Sequence, residues 1–170
     1  MTAQARTVLR DCRYVLALLE AETDFQKWRI HWIAAVALIR AVGHVLHKVD
    51  GKAPKVRDAS NNLFKEWKRE YEAHKIFHEF IERERNHILK EYEVNLFPLD
   101  EVPVVMEVML RSEETGELRK EGLVASLGNN IYRPLLDGYR EGDDARDVYE
   151  EAIAWWETQL TKLEETIEKR

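Results

Sequence analysis

The sequence has one cysteine, four prolines and seven glycines among 170 residues. A lone Cys12 excludes an intrachain disulfide and fits a reducing compartment. So few prolines and glycines leave long stretches without a breaker, which favours long helices. There is no Gly-rich phosphate loop, no serine nucleophile elbow and no cysteine pair, which excludes the common nucleotide-binding, hydrolase and zinc motifs. Internal repeats, low-complexity tracts and Pro/Ser-rich linkers are also missing, and the length suits one domain spanning residues 1–170. The longest continuous apolar run, Trp32 to Ile39, is too short to span a bilayer, and Arg6, Arg10, Asp11 and Arg13 interrupt any leader-like stretch. The expectation is a cytoplasmic protein without membrane contact.

What the chain does have is charge and apolar periodicity. Its 45% apolar and 34% charged residues describe a charge-rich helical protein that buries a core. The net charge of −6 is unevenly spread: residues 40–75 hold nine Lys/Arg against five acids, and residues 76–170 hold 12 against 23. A protein that grips nucleic acid along its whole surface carries a broad basic field. Here the basic segment is local, which argues against DNA binding and leaves RNA contact at one cleft open.

The apolar spacing predicts helices. Val8, Leu9, Cys12, Val15, Leu16 and Leu19 share one face of a helix from about Ala5 to Glu20. Thr23 or Asp24 is placed to cap a second helix that runs to the Asp50-Gly51 stop signal. That helix is apolar around most of its circumference and belongs at the centre of a bundle. Pro54 suits the first turn of a third helix with Val56, Leu63, Phe64 and Trp67 inward, and a fourth spans about Ala73 to Tyr92. The period then changes. Val-rich "VPVVMEVMLR", the turn "SEETGEL" and "RKEGLVASL" predict a β-hairpin over about 103–127. Asp143 or Asp144 caps a last helix with Ala145, Val148, Tyr149, Ala152, Trp156, Leu160 and Leu163 on one stripe. The fold class is therefore mainly α: an up-down bundle of four to five helices with an inserted hairpin before the C-terminal helix.

The fourth helix carries charge where its core face should be. On a wheel, Phe77, Ile81, Ile88 and Tyr92 form the inward stripe with Phe80 at its edge, and Glu84 falls within it. A buried carboxylate without a partner is strongly disfavoured. The second helix offers Arg29, Arg40, His44 and His47 in a narrow stripe, and Arg40 is the expected bidentate partner of Glu84. Arg40, His44 and Glu84 are thus candidate binding residues. Either the Arg40–Glu84 ion pair sets packing register, or Arg85, His44 and Tyr92 form a polar cleft that meets a substrate.

Arg85-Asn86 followed by Tyr92 resembles the motif of HEPN domains, small helical bundles common in prokaryotic toxin–antitoxin and defence systems. Family members carry Arg, a polar residue and, after four to six residues, His. The Arg and His cut RNA without a metal, usually across a symmetric dimer cleft. The resemblance implies Arg85, Asn86 and Tyr92 as the motif positions, with Tyr where the family has His. An unperturbed Tyr titrates near about 10 and cannot exchange protons as His does. The resemblance therefore implies a degenerate domain that binds RNA or a cognate protein with weak catalysis or none. The ending "EGDDARDVYEEAIAWWETQL" is similar to the C-terminal helix of bacterial helical proteins of this class.

Other constellations read more plainly. His74 and His78, four residues apart, lack a third ligand of suitable spacing and are expected on the surface, so no metal or other cofactor is implied. Glu84-x-x-His87 copies half of a di-iron bundle motif without its second copy. Trp156 belongs to the core stripe, and Trp155 lies at its margin, packed within the chain or against a partner. Two further classes stay open: a homodimer whose charged strip only fixes packing, and a bundle that holds a small molecule between the second and fourth helices.

Overall fold

The computed structural model describes residues 2–91, 94–96, 101–113 and 115–169. Five α-helices form the body: α1 Ala3–Ala21, α2 Phe25–Lys48, α3 Pro54–Arg69, α4 Glu82–Glu91 and α5 Ala145–Glu168. Strands β1 Glu101–Arg111 and β2 Leu118–Asn129 form one antiparallel hairpin before α5. The expected architecture holds.

Local chemistry sets the helix boundaries. The Asp24 carboxylate accepts from the Gln26 and Lys27 amides and starts α2. Pro54 stands in the first turn of α3, where its missing N–H costs nothing. Asp144 accepts from the Arg146 amide at the start of α5. Asp50, in the 3-10 turn after α2, also accepts from the Gln4 and Ala5 amides at 3.2 and 2.9 Å, satisfying orphan donors at the start of α1.

α2 is the central helix. It buries Trp28, Trp32, Ala35, Val36, Ile39, Val42 and Leu46, with Trp28 and Trp32 stacked at 5.7 Å. By length and composition alone Phe25–Lys52 would cross a membrane, with a mean hydropathy of 1.4 over its most apolar window. The short continuous run hides this average. In the fold, these apolar side chains are the ones that α1, α4 and α5 pack against. A second aromatic group joins α3, α4's approach and α5: Trp67 lies 4.9 Å from both Phe77 and Trp155 and 5.6 Å from Trp156. Trp67 Nε1 donates to Gln159 at 2.9 Å, so its buried N–H is satisfied. Trp155 is packed inside the chain. Phe64 is not inward as the α3 spacing predicts; it is 39% exposed, and the smaller Ala59 and Ser60 take the buried positions.

The fourth helix does not begin as a regular one. A 3-10 turn at Tyr71–His74 leads into a π-helical segment, Ile76–Ile81, and only then into α4. The Glu82 amide bonds to the Phe77 carbonyl, a five-residue step. A wide turn brings residues 76, 77, 80 and 81 to one face, and all four are buried. A uniform wheel puts Phe80 at the edge and overlooks Ile76. The reason is the change of winding, not a change of composition.

The hairpin stands apart. Among the described residues, β1 and β2 pack only on each other. Val105 and Val124 face one another across the strands and are 74% and 70% exposed.

Candidate functional site

Arg40 and His44 sit one helical turn apart on α2, so their side chains share a face. Arg85 comes from α4 to meet them, and the three line a groove of about 230 Å³ floored by Val36, Ala37 and Ile88. The Arg40 guanidinium donates to Glu82 Oε1 at 3.2 Å and lies 5.9 Å from the Phe77 ring. Burial holds the Arg40 pKa below its ordinary value against the raising pull of Glu82. Burial also pushes the His44 imidazole below its usual range, and the neighbouring charges of Arg40, Arg85 and Lys48 push the same way. His44 is thus a neutral ring at pH 7 within a cluster of cations.

A second cavity, of about 220 Å³, opens beside the groove and shares Arg40 and His44 with it. Its walls are Phe64 and Trp67 from α3, Phe77 from the π segment, Trp156 from α5, and His47 and Gly43 from α2. Gly43 has a steric reason to be glycine. A Cβ there would lie 3.0 Å from the Trp156 ring, so its absence lets α2 close on α5.

Glu84 is buried as expected, at 3% exposure, but Arg40 is not its partner. Arg40 goes to Glu82, and Glu84 Oε1 accepts from the Asn95 amide at 3.1 Å. The physical reason is rotation: two helical residues are roughly 200° apart, so Glu82 and Glu84 serve opposite sides of α4. Asn95 also donates to the Asp137 carbonyl and carboxylate, each at 2.8 Å, and Asp137 pairs with Arg83 at 3.3 Å. Glu84 therefore belongs to a lock between α4 and the loop before α5. It lines neither cavity. Burial raises its pKa, partly countered by the Asn95 hydrogen bond.

Arg85 Nη1 donates to Asn86 Oδ1 at 3.2 Å, joining the two motif residues directly. Asn86 itself faces an open depression with His78, Glu82, Arg83, His87 and Lys90. Tyr92, the third motif position, lies outside the described residues. Sequence reasoning missed Glu82, Asn95 and Gly43. Glu82 was findable, because it lies three residues before Arg85 and shares its face. Asn95 lies beyond the helix, where periodicity carries no signal.

Glu66, Glu70 and His74 bring three ligand-type atoms within 4.8 Å of one another. These groups are already committed. Lys162 bonds Glu66, Arg69 donates to Glu70 at 2.7 Å, and Trp155 donates to His74 Nδ1 at 3.1 Å. With Nδ1 accepting, the neutral ring carries its proton on Nε2, the edge that would have to bind a cation. His74 is buried, not on the surface as expected. His78 Nε2 lies 3.1 Å from the Trp67 carbonyl, and its ring stacks on Tyr71.

No protein-family model, curated protein or solved structure matches the chain, so the site is read from its own chemistry.

Proposed function

We propose that this protein is a cytoplasmic, HEPN-like RNA-binding component of a toxin–antitoxin or defence-type system, and that it binds single-stranded RNA phosphate in the α2–α4 groove with weak catalysis or none. The observation that carries this reading is the convergence of Arg40, His44 and Arg85 from two helices on one groove, in a chain of net charge −6. Two guanidiniums over an apolar floor hold a phosphate well, because neither is hydrated as strongly as an ammonium and each offers a planar fork. Glu82 holds Arg40 in place and leaves Arg85 engaged only with a neutral amide among the described contacts. The cationic side chains that line the groove are Arg40 and Arg85, so a local positive site stands within a chain of net negative charge.

His44 brings an imidazole from α2 into the same groove as Arg85. Burial and the neighbouring cations favour its neutral form, which supports binding with weak catalysis or none. The test is incubation of the protein with a mixed RNA pool, alongside Arg85→Ala and His44→Ala. Binding without cleavage fits the reading; cleavage abolished by either substitution makes the protein a nuclease instead.

A second reading, homodimerisation, is favoured by the hairpin. An isolated two-stranded hairpin is marginal in water, and this one exposes Val105, Met109, Leu118 and Val124 on a single face. A second copy laid against that face would cover it.

A further inference from the structure

The groove is not closed at its α3 side. It runs into the aromatic cavity through Arg40 and His44, which line both. Four rings of that cavity include three near-perpendicular pairs, Phe64 to Trp67 at 80°, Phe64 to Phe77 at 85° and Trp67 to Trp156 at 86°, while Trp67 and Phe77 are tilted at 48°. Boxes of perpendicular rings suit two kinds of guest, an organic cation or a flat π system. The rim decides between them. Arg40 lines the cavity, and Lys68 Nζ sits 4.6 Å from the Phe64 ring. A cation would meet positive charge at the mouth, whereas a flat ring attached to an anion meets aromatic walls inside and guanidinium outside.

Size narrows the guest further. At about 220 Å³ the cavity falls below the roughly 300–1,000 Å³ of sites for drug-sized ligands, so it takes one planar ring system. A nucleotide has this form, with a phosphate joined through ribose to one planar base. The geometry points to a base-binding subsite: the aromatic cavity between α2, α3 and α5 receives one unpaired RNA base whose phosphate lies in the adjoining Arg40–His44–Arg85 groove. This deepens the RNA reading and rests on it. Double-stranded RNA is excluded as the ligand, since its bases are stacked away from such a cavity. Phe64 gains a role here. Its exposure, which packing alone does not ask for, leaves a ring at the mouth on which a base stacks.

The test uses the whole chain and two fluorescein-labelled strands of equal length, one a single-stranded RNA of mixed sequence and the other a ribose–phosphate strand without bases. Fluorescence anisotropy reads the affinity of each. The expected result is that the base-bearing strand binds roughly tenfold more tightly. Phe64→Ala removes that preference and leaves the affinity for the base-free strand unchanged. Asn61→Trp, made at an exposed position on the cavity wall, does the same by covering the mouth, and keeps the test valid where Phe64→Ala fails to fold. Arg85→Ala weakens both strands alike. Equal binding of the two strands by the wild type, or a preference that survives both substitutions, overturns the subsite and leaves the phosphate groove standing. Failure of both strands to bind overturns the two together.

Discussion

Arg40 Nη2 lies 3.2 Å from Glu82 Oε1, and this contact ties α2 to α4 where the groove begins. The two side chains are 21% and 35% exposed, so water screens the pair in part and its net worth is that of a good surface bridge. A double-mutant cycle between Arg40→Ala and Glu82→Ala, read by urea unfolding, is expected to give a coupling of about 0.5–1 kcal/mol. The same cycle between Arg40 and Glu84 is expected near zero. A larger coupling to Glu84 would mean that Glu84, and not Glu82, faces Arg40 in solution.

Glu84 is buried, and its Oε2 has no hydrogen-bond partner among the described residues. Burial raises its pKa above the ordinary 4.5. An acid raised in this way keeps its proton in the folded state over a window where the unfolded chain has lost it. Its favourable contribution is complete below the ordinary carboxylate range and is lost as pH rises through that range to the folded value. Glu84→Gln keeps the acceptor for Asn95 and removes the charge. It is expected to stabilise the protein by about 1–3 kcal/mol at pH 8, with the difference vanishing below pH 4, in thermal melts recorded across that range. A destabilised Gln variant at pH 8 would mean that the carboxylate is needed as an anion.

His44 has its pKa lowered by burial first, then by Arg40, Arg85 and Lys48. A base lowered in this way stays neutral in the folded protein, so stability falls as pH drops below the ordinary 6.5 toward the folded value. A phosphate in the groove favours the protonated ring, so RNA affinity moves the other way and rises over the same interval. Anisotropy titrations from pH 8 to pH 5 are expected to show a steeper gain for the wild type than for His44→Gln. Parallel curves would place His44 outside the phosphate site.

The Val105–Val124 cross-strand pair, with both side chains largely in water, is the most economical place to test self-association. If a second copy covers this face, light scattering on a sizing column gives a dimer for the wild type. Val105→Lys with Val124→Lys then gives a monomer with an unchanged helical circular dichroism signal. A wild-type monomer at the same concentration removes the homodimer reading.

The parts of the fold that depend on regular periods were legible in the sequence. The near-continuous apolar surface of α2 made it central, Asp24 and Pro54 marked helix starts, and the Val-rich run before "SEETGEL" marked the hairpin. The misses have separate causes. The π segment at Ile76–Ile81 breaks the 100° step on which the wheel of the fourth helix rests; that wheel put Phe80 at the edge of the inward stripe and left Ile76 out, and both are buried. Glu84 was correctly judged to be buried, but a wheel gives a direction and not a partner, and its partner Asn95 comes from a loop. At the site, the stripe of Arg40 and His44 with Arg85 opposite was readable from helix faces alone. The aromatic cavity was not, because it needs Phe64, Phe77 and Trp156 from three separate segments.

The α2–α4 groove as a phosphate site is the proposal on which the RNA reading and the base subsite both rest. Affinity of the full chain for a labelled single-stranded RNA, measured against salt for the wild type, Arg40→Ala and Arg85→Ala, tests it directly. The expected result is a log–log slope of about −1.4 for the wild type, about 0.7 for each of the two arginine–phosphate contacts on a single strand, reduced in magnitude by about 0.7 in each variant. Salt-independent binding, or unchanged slopes in both arginine variants, would contradict it.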